Sequence, residues 1–147
     1  MYKRILVATD GSELSAKAIE SAIALASALK AELYALKVVQ RYAHSYFEGS
    51  LPIDMNETAR IEADWSSKAQ KVIDGVVAAG KVRDVNVHGL VIQSDQVSET
   101  IVSAARKHEC DLIVMASHGR KGVSRLLLGS ETQHVLTHSH IPVLVLR

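Results

Sequence analysis

The feature that most constrains this chain is an alternation of two periods. Short, nearly continuous apolar runs recur at 4–9 (RILVAT), 33–39 (LYALKVV), 85–92 (VNVHGLVI), 111–117 (DLIVMAS) and 142–146 (PVLVL). Runs of that length, apolar at successive positions, suit strands covered on both faces. Between them lie helical patterns. Leu14, Ala18, Ala22, Leu25, Ala26 and Leu29 form one stripe, with Ser12 as a natural N-cap. Ile61, Trp65, Ala69, Val72 and Val76 form a second, with Gly80 expected just past its end. Val97, Ile101, Ala104 and Ala105 mark a third helix reaching about His108, and a short fourth one opens at Ser130. Strands alternating with helices predict an α/β fold, and right-handed crossovers between parallel strands then put helices on both faces of the sheet. The expectation is one doubly wound, Rossmann-like domain spanning residues 1–147.

Composition narrows the function. At 147 residues the chain can bury roughly 70% of its unfolded surface in a single core. With 48% hydrophobic and 22% charged residues it is not a disordered chain. A net charge of +1 supplies no field that would gather nucleic acid or an anionic membrane, and no apolar run is long enough to span a bilayer. The opening residues read as a strand rather than a signal peptide. The single cysteine, Cys110, precludes an internal disulfide and suits a core position beside DLIVM. A soluble, cytoplasmic protein is expected.

In open parallel sheets a ligand binds beyond the carboxyl ends of the strands, where their order reverses. ATDGS follows the first strand and ASHG the fourth, so Asp10 and the segment from Ala116 onward are the candidates. Asp10 offers an acceptor for a ribose hydroxyl or an adenine amine. The stretch ASHGRKGVSRLLLGSETQ (116–133) is glycine-rich and ends at a helix start. Two readings of its end stand side by side. Ser130 and Gln133 fit an S-x-x-Q capping box that needs no ligand. Equally, Gly129 lets backbone approach a phosphate, which the first-turn N–H groups and the helix dipole would favour. Glu131 would repel such an anion and is expected to point away. Arg120, Lys121 and Arg125 either attract it or form a solvated face.

Other chemistries find little support. The Walker pattern is missing, no G-x-G-x-x-G follows the first strand, and no nucleophile elbow is present. His134 and His138 stand one helical turn apart with His140 nearby, but lack the intervening glutamate of a zincin helix. The aperiodic stretch 40–56, carrying Tyr42, Tyr46 and Phe47, reads as a long loop whose rings pack back on the body or form a lid.

Taken together, KRILVATDGS, CDLIVMASHGRKGVSRLLLGS and IPVLVLR resemble the universal stress protein family over essentially the whole chain. The nucleotide-binding branch of that family carries G-x2-G-x9-G-[ST] after its fourth strand. Gly119, Gly129 and Ser130 match its second half, whereas Ala116 replaces the first glycine. If that position needs a left-handed backbone, alanine costs about 1–2 kcal/mol; if it need only be small, a methyl is tolerated. The resemblance implies a five-stranded parallel sheet in order 3-2-1-4-5 and ATP as ligand, with Mg²⁺ or Mn²⁺ on the phosphates. It places adenine near Ala8, Thr9, Asp10 and Val38, and the ribose beside Met115 and Ala116. The phosphates would lie on Gly119, Gly129, Ser130 and the turn that follows, Glu131 and Thr132. Arg120 would add charge, and from its place in the loop His118 is read as touching a phosphate, packing, or facing solvent. It also implies a homodimer through the last strand, 142–146, and a regulatory role toward an unidentified protein partner. The absence of recognisable groups positioning an attack on the γ-phosphate predicts slow ATP hydrolysis at most. Weak enzymatic nucleotide turnover and a stress protein without nucleotide are the competing readings.

Overall fold

The computed structural model describes residues 1–42, 55–119 and 128–147. These residues form β1 (Arg4–Ala8), α1 (Glu13–Leu29), β2 (Glu32–Val39), α2 (Met55–Val82), β3 (Val87–Gln93), α3 (Val97–Lys107), β4 (Leu112–Ala116), α4 (Ser130–His138) and β5 (Val143–Leu146). The five strands make one parallel sheet in the order β3-β2-β1-β4-β5. Ile5 lies between Leu33 of β2 and Leu112 of β4, and Ile113 pairs with Val143 at the far edge.

Because side chains alternate across a strand, each apolar run feeds two cores. Ile5, Val7, Leu33, Ala35, Leu112 and Val114 face α1 and α2. Leu6, Leu36, Ile113 and Met115 face α3 and α4. This is why β1 and β4 lack the polar–apolar alternation of a half-solvated strand. Every residue of β4 is buried, whereas β3 and β5, at the two edges, have none that is.

α1 starts as its sequence suggests, with Ser12 Oγ accepting the Ser15 N–H at 3.2 Å. Its buried stripe runs through Ala18, Ala22 and Ala26 as expected, joined by Ser15 and Ile23 and with Leu25 packed against it, while Leu29 at its end is exposed. The small alanines bring the helix close to the sheet and Ile23 fills the space beside them. The helix stops at Lys30, in the left-handed region at φ 56°, without a glycine.

α2 departs further from expectation. Its buried residues are Ala69, Ile73, Val76 and Gly80. Trp65 is not part of the core, and from Met55 to Lys68 no side chain is fully buried. Gly80 does not end the helix, which continues to Val82. A Cβ at position 80 would run into Cγ2 of Val87, so this glycine lets α2 lie on β3. The chain turns instead at Asp84, φ 56°, while the Gly80 carbonyl accepts the N–H groups of Arg83 (3.0 Å) and Val85 (2.9 Å). The loop read at 40–56 falls mostly outside the described residues, Tyr46 and Phe47 included.

Cys110 lies in the core as expected, and burial, aided by the charge of Asp111, pushes its thiol up to about 12. A thiol held neutral in that way is a packing group, not a nucleophile. Among the described residues no helix is long and apolar enough to cross a membrane.

Candidate functional site

The strand order reverses between β1 and β4, whose chains leave toward opposite faces of the sheet. A cleft of about 740 Å³ opens at their carboxyl ends, a size that suits a small organic ligand. β1 and the turn after it supply Ala8, Thr9 and Asp10, and β2 supplies Val38. From β4 and its loop come Met115, Ala116, His118 and Gly119. Gly129 and the first turn of α4, Ser130, Glu131 and Thr132, close the far side. Every candidate site residue read from the sequence therefore lines this one cleft except Arg120, which lies outside the described residues, as do Lys121 and Arg125.

The turn after β1 is fixed by its own side chains. The Thr9 hydroxyl is buried, 2.9 Å from Ser15 Oγ and accepting the Gly11 N–H at 3.1 Å. It is thus committed inward, and Thr9 meets the cleft mainly as backbone. Asp10 Oδ1 accepts the Ser12 N–H at 2.9 Å, and Gly11 supplies the left-handed step at φ 82°. Together these bonds aim α1 and hold the Asp10 carboxyl at the cleft.

The two retained motif glycines act by leaving room. A Cβ on Gly119 would run into Oδ2 of Asp10, so the carboxylate of the first strand's turn packs against the backbone of the fourth's. At Gly129 a Cβ would stand 3.2 Å from His118 Cα and 3.3 Å from the Ser117 carbonyl oxygen. Its own N–H donates to that carbonyl at 2.7 Å. Ala116 is the last residue of β4, paired with Leu146, and has no positive φ. Its carbonyl accepts the Thr132 hydroxyl at 2.9 Å, so Thr132 too turns its side chain inward. Position 116 therefore makes no demand for a left-handed backbone, and the methyl group of alanine carries no conformational penalty there.

The capping box expected at Ser130 and Gln133 is not formed. Gly129, extended at φ −63° and ψ 154°, occupies the N-cap, and no side chain caps α4. Its bond to Ser117 fixes that register, which leaves Ser130 already helical and one residue too late to cap. Gln133 Nε2 donates to the Leu128 carbonyl at 3.2 Å instead. The first-turn N–H groups of α4 have no acceptor within the helix, and they open on the cleft.

Glu131 turns to another helix. Its Oε2 accepts the Ser98 N–H at 2.9 Å, at the start of α3, where the N-cap Gln96 supplies no side-chain bond. The carboxylate thus satisfies the α3 terminus and complements its dipole. Glu131→Ala is expected to destabilise the fold by about 1 kcal/mol, the usual effect of deleting a cap, measurable by urea titration.

His118 Nδ1 lies 3.1 Å from Ser117 Oγ. His134 and His138 stack ring on ring at 3.9 Å between centroids. Among the described residues no three His, Cys, Asp or Glu side chains come together as a metal site.

Of the β2 side of the cleft, sequence reading found only Val38, and it missed the helical walls. Lys37, Gln40, Trp65, Val97 and Ile101 also line it. Lys37 was legible as the lone charge near the carboxyl end of an apolar strand. Trp65 was not, because its spacing matched a core stripe.

The sequence model of the universal stress protein family matches residues 1–147. The chain belongs to that family. A universal stress protein of Methanocaldococcus jannaschii is 35% identical over 147 residues, covering 100% of this chain and 83% of the relative. The solved structure of the universal stress protein UspA from Lactobacillus plantarum superposes with a TM-score of 0.86 at 26% identity, covering 99% and 98% of the two chains. The universal stress protein from Archaeoglobus fulgidus, determined in complex with dAMP, shares the fold at a TM-score of 0.66 and 16% identity, covering 99% and 98%.

Proposed function

We propose that this universal stress protein is a cytoplasmic, single-domain adenine-nucleotide-binding module, with ATP as its ligand, that regulates a protein partner. The observation that carries this reading is the convergence of Asp10, Gly119 and the uncapped start of α4 on one cleft at the switch point. Unsatisfied helix N–H groups favour an anion, and the one carboxylate of that first turn is occupied at α3. The dAMP complex of the Archaeoglobus fulgidus relative supports an adenine nucleotide in this family. Asp10, whose carboxylate packs against Gly119, would meet a hydroxyl or an amine of the ligand rather than a phosphate. Phosphates held at α4 would carry Mg²⁺ or Mn²⁺ with them. The module binds rather than turns over: any hydrolysis is slow.

Isothermal titration of the protein with ATP and with AMP tests the reading. One site per chain is expected for ATP, with weaker binding of AMP as phosphate contacts are removed. Heat indistinguishable from buffer dilution for both nucleotides would refute it and leave a stress protein without nucleotide.

The proposed assembly is a homodimer through β5. That strand ends the sheet and exposes Leu144 at 42%, and a short apolar edge invites pairing with a second copy. The expected result is a dimer by light scattering, and a monomer for Leu144→Lys, whose charge opposes edge pairing.

A further inference from the structure

We infer that Trp65 is the base-recognition residue of the cleft, a stacking surface for the nucleobase supplied by α2. This rests on the nucleotide reading and adds to it a side chain outside the motif. The two ends of the cleft differ in chemistry. At one end stand the α4 N-terminus, Gly119 and His118; at the other, two strands away, stand Leu36, Val38, Val39 and Trp65, with Lys37 and Gln40 beside them. With strands about 4.8 Å apart, that is a separation of about 10 Å, across which a nucleotide reaches with phosphate at the polar end and base at the apolar one.

Trp65 is the chain's only tryptophan and is 36% exposed. It sits on the half of α2 whose side chains do not enter the core. Its indole is nevertheless held in place. Tyr42 meets it edge-on, with centroids 5.8 Å apart and planes at 62°. The Tyr42 N–H is tied to Glu62 Oε1 at 3.1 Å, one helical turn before Trp65, and the Arg41 N–H to Asp95 Oδ1 at 2.9 Å. A rigid, partly exposed indole at the apolar end of a cleft loses little freedom when a flat ring stacks on it. Base–aromatic stacking is strong enough to govern the affinity of a nucleotide.

Because the tryptophan is unique, its fluorescence reports on this position alone. ATP added to the full-length protein is expected to change Trp65 emission in a saturable way, with the midpoint found by calorimetry, while inorganic tripolyphosphate leaves it unchanged. Trp65→Ala should weaken ATP binding by about tenfold or more and leave tripolyphosphate binding unaltered, and Trp65→Phe should restore most of the ATP affinity. Calorimetric ATP binding by the wild type with unchanged emission, and a Trp65→Ala affinity within about twofold of it, would overturn this assignment while leaving the nucleotide site intact. Failure of the wild type to bind ATP at all would overturn both.

Discussion

Ile73→Ala is expected to lower the unfolding free energy by about 3–4 kcal/mol, within the range for emptying a buried aliphatic site. Ile73 is completely buried and belongs to the core between α2 and the sheet. Its neighbour is an absence: a Cβ on Gly89 of β3 would stand 2.5 Å from Ile73 Cγ2. The isoleucine therefore occupies the place where a side chain on the strand would be, with Val77 the nearest other side chain. The same logic gives Gly89→Ala alone a penalty of about 1–3 kcal/mol for overpacking. In the Ile73→Ala background that methyl enters vacated space, so the double mutant should be more stable than the sum of the two singles by at least 1 kcal/mol, a coupling typical of side chains in contact. Urea unfolding of the four proteins measures it, and additive effects would show that α2 does not seat on β3 through this pair.

The same contact explains what was legible in the sequence and what was not. Apolar runs five to eight residues long separated by helical patterns suffice to indicate a parallel sheet, because only strands covered on both faces are apolar at successive positions. Strand identity, and with it the position of Asp10 and Ala116 at strand ends, could be read from that signal. Helix faces were less legible. In α2 the spacing Ile61, Trp65, Ala69, Val72, Val76 is a good helical stripe, but which side of it meets the sheet depends on Gly89 of β3 and on Val87 across from Gly80. Gly80 carries two opposite local meanings, helix end and close packing, and only the tertiary partner chooses between them. The S-x-x-Q pattern at Ser130 failed for a similar reason. A long-range bond from Gly129 to Ser117 sets the register of α4, which no window of a few residues reveals. Glu131 was expected to avoid the anion site, yet its acceptor role at Ser98, 33 residues away in sequence, is a property of the fold alone.

Gly119→Ala is expected to weaken ATP binding by about a hundredfold, roughly 2.7 kcal/mol, with the fold left within about 1 kcal/mol of wild type, as for most loop substitutions. The added methyl falls on Oδ2 of Asp10. It cannot be absorbed by rotating that carboxyl freely, because Oδ1 holds the Ser12 N–H that begins α1. Either the Asp10 carboxylate leaves the cleft or the loop carrying Gly119 recedes from it, and both separate the two halves of the proposed site. The backbone at position 119 is not in the left-handed region, so the effect cannot be ascribed to strain in φ. Asp10→Ala should lose a similar amount, and adding Gly119→Ala to it should cost little more, since the collision is then removed. Calorimetric titration of the two single variants, the double variant and the wild type separates the cases. Losses that add fully would mean that glycine and carboxylate act on the nucleotide independently. Wild-type affinity in Gly119→Ala would mean that the ligand does not need the juxtaposition of β1 and β4 on which the switch-point reading depends.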